Sequence, residues 1–241
     1  MRPGRILLAN RKRIRVVVGV GVAGWWFLGA GGAGAGTIRG SVRFTGPAVE
    51  TRKVSVTADQ NVCGKEKDSD ELLLSPERGI RNVVVSLAAP PATVNGERLP
   101  AHVQMDQKQC AFTPRVVVVP IGGTVEFLNN DRLLHNLHSF SIENRTFNRA
   151  QPKGRTIPIE FNKKEIVRVD CDLHPWMRAW VVVADSPFYA VTNELGEFLL
   201  DRIPPGQHVL QLWQELLGTT TKNVSVAAHG VTTVVVEMSR K

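Results

Sequence analysis

From residue 37 onward the chain is a succession of short apolar runs separated by Gly, Pro and Asn turns. Residues 37–44, 124–128 and 157–161 alternate apolar and polar positions, the pattern of strands that bury one face. Residues 82–87 and 115–119 are β-branched runs closed by Pro and Gly. Further strands are expected at 166–169, 179–183, 197–200, 208–213, 223–226 and 231–238, with a charged turn at 162–164. No stretch carries a long helical period, and residues 66–74 hold room for one or two helical turns. Short strands at this spacing predict an all-β chain of antiparallel Greek-key-type β-sandwiches. A length of 241 residues suits one large β domain or two small ones.

The formal net charge of +8 changes the picture only through where it sits. Arg2, Arg5, Arg11, Lys12, Arg13 and Arg15 all precede residue 36, in a segment without an acidic residue. The remainder carries 24 basic against 22 acidic residues with no basic stripe, so nucleic acid is excluded as a partner. The same basic start leads into an apolar run from Val16 to Leu28, and Ala33-Gly34-Ala35 offers a small-x-small cleavage site. Residues 1–35 therefore read as an export signal, with an uncleaved anchor over 16–35 as the rival and the only route to a membrane. The expected location is exported: periplasmic or envelope-associated.

Candidate chemistry concentrates at Cys171-Asp172-Leu173-His174-Pro175-Trp176-Met177, directly after a strand. A thiol, an imidazole and a thioether within seven residues, with a histidine from elsewhere, form the ligand set of a blue-copper centre. The fourth ligand is expected from another strand, and the segment 129–138 after the strand 124–128 offers His135 and His138. Zinc also accepts Cys and His, but a thioether favours copper. A Cys171–His174 thiol catalyst has poor geometry on one tight loop and no oxyanion-hole motif beside it. With Cys171 engaged, Cys63 and Cys110 are left to pair in an oxidising compartment, closing a loop of about 48 residues worth about 4 kcal/mol in the chain-entropy model.

Two family resemblances attach to these motifs. Leu134-His135-Asn136-Leu137-His138 followed by Cys171-Asp172-Leu173-His174-Pro175-Trp176-Met177 resembles the cupredoxins of the amicyanin and plastocyanin branch, over about residues 80–183. That resemblance implies copper, cycling between Cu(II) and Cu(I), on His135, Cys171, His174 and Met177, with His138 as the alternative ligand. It further implies a hydrogen bond from Asn136 to the cysteine sulfur, surroundings that include Pro175 and Trp176, and an exposed His174 edge facing partners. The turn signature Thr192…Gly196…Phe198 and Pro204-Pro205-Gly206 resembles the carboxypeptidase-regulatory-like, or transthyretin-like, sandwich. Such modules open with a G-x-V strand, which Gly40-Ser41-Val42 supplies. The expected organisation is a signal or anchor at 1–35, strands at 36–60 completing the C-terminal sandwich, a cupredoxin-like domain at 61–185 and a carboxypeptidase-regulatory-like sandwich at 186–241, with a plain tandem arrangement of the two domains as the alternative. The whole implies an exported one-electron carrier, not an enzyme, whose redox partner is a protein such as a cytochrome or dehydrogenase. The rivals are an envelope scaffold or adhesion module and a periplasmic copper store or chaperone.

Overall fold

The computed structural model describes residues 34–47, 52–91 and 99–240, so the signal or anchor expected at 1–35 lies almost wholly outside the described residues. Among the described residues, no helix is long and apolar enough to cross a membrane. The first part of the chain forms β1 (Gly36–Phe44), β2 (Lys53–Ser55), α1 (Gln60–Cys63), β3 (Glu66–Asp68) and β4 (Val84–Leu87). The middle forms β5 (His102–Lys108), β6 (Ala111–Thr113), β7 (Val116–Pro120), β8 (Gly123–Asn129) and β9 (His135–Phe140). It continues with β10 (Asn148–Gln151), β11 (Ile157–Phe161), β12 (Glu165–Asp170) and β13 (Arg178–Ala184). The last part forms β14 (Tyr189–Val191), β15 (Glu197–Ile203), β16 (Gly206–Gln214), β17 (Gly218–Val226) and β18 (Val231–Met238). Residues 66–74, expected to have room for one or two helical turns, begin instead with β3, and among the described residues the helical turn lies earlier, at α1.

Two sheets, ordered β10-β9-β12-β13-β7 and β11-β8-β5-β6, build the sandwich that carries the candidate site. Alternation along β8 and β11 puts Val125, Phe127, Ile157, Ile159 and Phe161 into one core with Val167, Val169 and Val181 of the facing sheet. Each such side chain contributes roughly 1.5–3 kcal/mol by leaving water. A second sandwich pairs the sheets β15-β1-β18 and β14-β4-β16-β17 around Ile38, Val42, Val85, Leu210, Leu212 and Val236. β1 lies between β15 and β18, and Gly40 has the Phe198 ring so near that a Cβ there would meet it at 2.4 Å. β4 falls within the residues read as the 61–185 domain, yet it pairs with β14 and β16 in the second sandwich.

The sandwiches are not purely antiparallel, contrary to the expectation. β1–β18, β5–β8 and β7–β13 are parallel pairs, each between strands that no hairpin connects, as parallel pairing requires. The β-branched runs that lacked alternation have a common cause. Val84 of β4, Val116 of β7 and Val182 of β13 form a third apolar cluster where the two sandwiches meet, so these strands bury both faces. Arg115 locks this junction from the buried side: its Nε and Nη2 donate to Glu215 at 2.6 and 2.9 Å, and its Nη1 donates to Asp70. The Trp180 indole also donates to Glu215, at 3.1 Å, and its ring meets Trp213 edge-on.

Candidate metal centre

The β12–β13 hairpin pairs Asp170 with Arg178, so residues 171–177 are its turn. Three backbone bonds tighten that turn: Cys171 N–H to Met177 O, His174 N–H to Cys171 O and Met177 N–H to His174 O, at 3.1, 3.3 and 2.8 Å. β9 lies beside β12 and starts at His135, which places this histidine against the turn. Period two then buries His135, Leu137 and Ser139 and turns His138 to the other face, where its Nδ1 bonds Asp172 at 2.9 Å. His138 is therefore outside the donor group.

His135 Nδ1, His174 Nδ1 and Cys171 Sγ converge. The two nitrogens are 2.9 Å apart, and the sulfur is 3.8 Å from the first and 3.6 Å from the second. All three residues are buried, and Met177 is buried in the same core cluster as Cys171. The edges of this triangle match donors roughly 2.0–2.3 Å from a common centre.

The outer nitrogens explain why the inner ones are free to bind. His135 Nε2 lies 2.9 Å from Asp131 Oδ2, and His174 Nε2 lies 3.0 Å from Asp59 Oδ2. Each carboxylate can only accept, so each ring carries its proton on Nε2 and turns a bare Nδ1 lone pair inward. The two Nδ1 atoms and the buried sulfur face one another, an arrangement that can hold a metal ion. Burial depresses the basicity of His135, with the neighbouring His174 adding to this and Asp131 opposing it. Burial likewise pushes the Cys171 thiol up, while backbone N–H groups of Asn136, His174 and Leu173 favour the thiolate. The Asn136 N–H reaches the sulfur at 3.5 Å. Its side chain clamps Asp172, accepting from the Asp172 N–H at 2.7 Å and donating to its carboxylate at 2.9 Å. His138 foremost, with Asn148 and Asn136, holds that carboxylate below its usual range.

His174 departs from the expected exposed edge: its side chain is fully buried. One side is closed by the Trp176 ring at 5.2 Å and the outer nitrogen by Asp59. Trp176 is half-buried and its indole donates to Cys110 O at 3.1 Å, while Pro175 is exposed at the tip of the turn. Cys63 and Cys110 form a disulfide, a bond of oxidising compartments. Asp59 and Asp131 were not among the residues read from sequence. Asp131, four positions before His135, sits where a carboxylate partner could have been sought; Asp59 carries no local signal.

The protein's likeness to known proteins is partial. No protein-family model matches the chain, and no curated protein matches it. Among solved structures, 39% of the chain matches a copper-containing nitrite reductase from Thermus scotoductus SA-01 at 26% identity and a TM-score of 0.33. That match spans only 25% of the reductase. A purple cupredoxin from Nitrosopumilus maritimus matches 34% of the chain over 98% of its own length, at 22% identity and a TM-score of 0.30. An oxidised mutant of amicyanin matches 38% of the chain over 97% of its own, at 22% identity and a TM-score of 0.32. At such scores the chemistry of the site rests on its own donors, a buried His135, Cys171, His174 and Met177 cluster in an all-β protein.

Proposed function

We propose that this protein is an exported cupredoxin-type blue-copper protein that carries single electrons, with copper held by His135, Cys171, His174 and Met177. The observation that carries the reading is the inward convergence of two carboxylate-backed Nδ1 lone pairs on one buried thiol. Two imidazoles, one thiolate and a thioether are a soft, low-coordinate set that suits copper, whereas structural zinc sites draw on Cys and His. When bound, copper supplies a one-electron Cu(II)/Cu(I) couple. The chain's part is to hold the donors still. Asp131 and Asp59 fix the imidazole planes, the Asn136 N–H steadies the sulfur, and the closed turn 171–177 keeps the buried Met177 in the same core as the thiol. Burial excludes water from the donors, so no open position is left for a substrate, and the role proposed is not enzymatic. The Cys63–Cys110 disulfide supports an exported, periplasmic or envelope location, and a cytochrome or dehydrogenase is the proposed class of redox partner. The second sandwich is proposed to be a carboxypeptidase-regulatory-like module, on its turn signature.

The test is the optical and paramagnetic-resonance spectrum of copper-loaded protein. An intense thiolate-to-copper band is expected, lost in Cys171→Ser and retained in His138→Ala. A colourless copper-loaded protein overturns the proposal and leaves the scaffold reading in its place.

A further inference from the structure

Residues 52–68 form a strap over the candidate centre, running through β2, α1 and β3. Of these residues only Val56 and Cys63 are fully buried. Through Lys67 and Asp68 the strap flanks a cleft of about 520 Å³, lined on the other side by Trp176 of the turn and Arg178 of β13. It is held at discrete points: Val56 in the core, the Lys67 ammonium on Gln109 O at 2.6 Å, Asp59 on His174, and the disulfide.

Both ends of that disulfide lead to a histidine of the site. On the strap side, the Cys63 N–H donates to Asp59 O at 2.9 Å, and the Asp59 carboxylate meets His174 Nε2. Asp59 adopts the left-handed conformation, with φ of 48°, at the start of α1, so its backbone is set by the strap's own turn. On the other side, Gln109 and Cys110 are the two-residue loop between β5 and β6, with φ of 54° and 53°. This turn normally takes Asn-Gly, and two ordinary side chains there cost about 1–3 kcal/mol each. Asp131 offsets the cost by accepting both N–H groups, at 2.6 and 2.8 Å, and the same Asp131 Oδ2 meets His135 Nε2. Trp176, packed on His174, donates to the Cys110 carbonyl.

We infer that the disulfide-tethered strap is a cap on the metal centre, with Asp59 as the residue that positions His174 and seals its outer edge. The inference rests on the copper reading of the same site and adds two properties to it. Metal leaves slowly because the strap must lift first, and electrons do not cross directly through the His174 edge. The Cys63–Cys110 bond is the anchor that keeps Asp59 in place, since little buried apolar surface holds the strap otherwise.

The experiment compares full-length wild type, Asp59→Ala, Asp59→Asn and the double variant Cys63→Ser/Cys110→Ser. Two rates are measured: copper transfer from loaded protein to an excess of a colorimetric chelator, and alkylation of Cys171, the free cysteine, in metal-free protein. Asp59→Ala and the double variant are expected to lose copper about 10–100-fold faster than wild type, as for loss of a carboxylate behind a ligand histidine. Asp59→Asn, which keeps an acceptor without the charge, is expected in between. Asp59→Ala is also expected to move the charge-transfer band and to speed Cys171 alkylation at least tenfold. Asp59 is exposed, so its removal leaves the core intact and this variant decides the matter even where the double variant folds poorly. Copper loss and alkylation within twofold of wild type in Asp59→Ala would overturn the cap. Wild type that binds no copper overturns the copper reading instead, and the alkylation rates still decide whether the strap closes over Cys171.

Discussion

The two sandwiches have similar apolar cores but spend their buried polar groups very differently. The second holds Thr192, Gln214 and Ser86, each bonded separately to a backbone group. The site-bearing sandwich buries Gln107, Asn129, Asp131, His135, Gln151 and His174, bonded to one another in a connected network at one end of its sheets, with the buried Asn136 bonded beside them to Cys171 and Asp172. Buried polar groups cost free energy unless every one finds a partner. A region that keeps so many has a use for them, and here they surround the converging donors. The second sandwich, free of that demand, is built for packing and for gripping its neighbour through Glu215 and Trp213.

The largest test of this contrast is to cut the second sandwich out. Residues 186–241 alone lack β1 and β4, each an inner strand of its sheet. That fragment is expected to show no cooperative melt, and a sharp transition by circular dichroism would mean that it is an independent module. Next comes the junction. Glu215→Ala leaves the buried Arg115 guanidinium with only Asp70 and the Arg178 carbonyl, its Nε and Nη2 unpaired, at an expected cost of about 3 kcal/mol. Calorimetry should then resolve two transitions where wild type shows one, while the copper spectrum stays unchanged; a shifted spectrum would show that the second sandwich reaches the site.

The smallest effect concerns pH. Glu165, the first residue of β12, turns its carboxylate to the 141–144 loop, and its carboxyl falls to about 2 from 4.5. Burial opposes this fall, but N–H groups of Ile142 and Asn144, with the Ser141 hydroxyl and the Asn144 amide, outweigh it. A depressed carboxylate contributes stability that is full above about 4.5 and disappears as pH drops toward 2. After solvent screening of this part-exposed group the contribution is about 1 kcal/mol. Glu165→Gln should therefore melt lower than wild type at pH 7 and converge with it near pH 2; a constant gap would assign the effect to packing.

Much of the site-bearing sandwich was legible because its strands obey period two and its donors lie in one turn. The turn 171–177 is local, so a thiol, imidazole and thioether at that spacing can be read without a fold. His135 was chosen over His138 by family resemblance and by strand alternation, which puts residues three apart on opposite faces, and the structure shows His135 buried with His138 turned to the other face. β5 and β10 escaped notice because polar and charged residues interrupt their apolar positions. The unalternating valine runs were visible as strands, but not their reason, which is the contact between sandwiches.

The sequence by itself determined the β character of the chain, the donors of the turn 171–177, and the two cysteines left to pair. These follow from local periodicity and residue chemistry. Only the tertiary structure decided that β4 belongs with the C-terminal strands, that three strand pairs run parallel, and that His174 is closed rather than open. The Asp59–His174 contact joins residues 115 positions apart, so no local pattern encodes it. It exists because the disulfide, the left-handed turn at Asp59 and the packing of Val56 bring a distant strap onto the turn, and a contact made by convergence is visible only once the chain has folded.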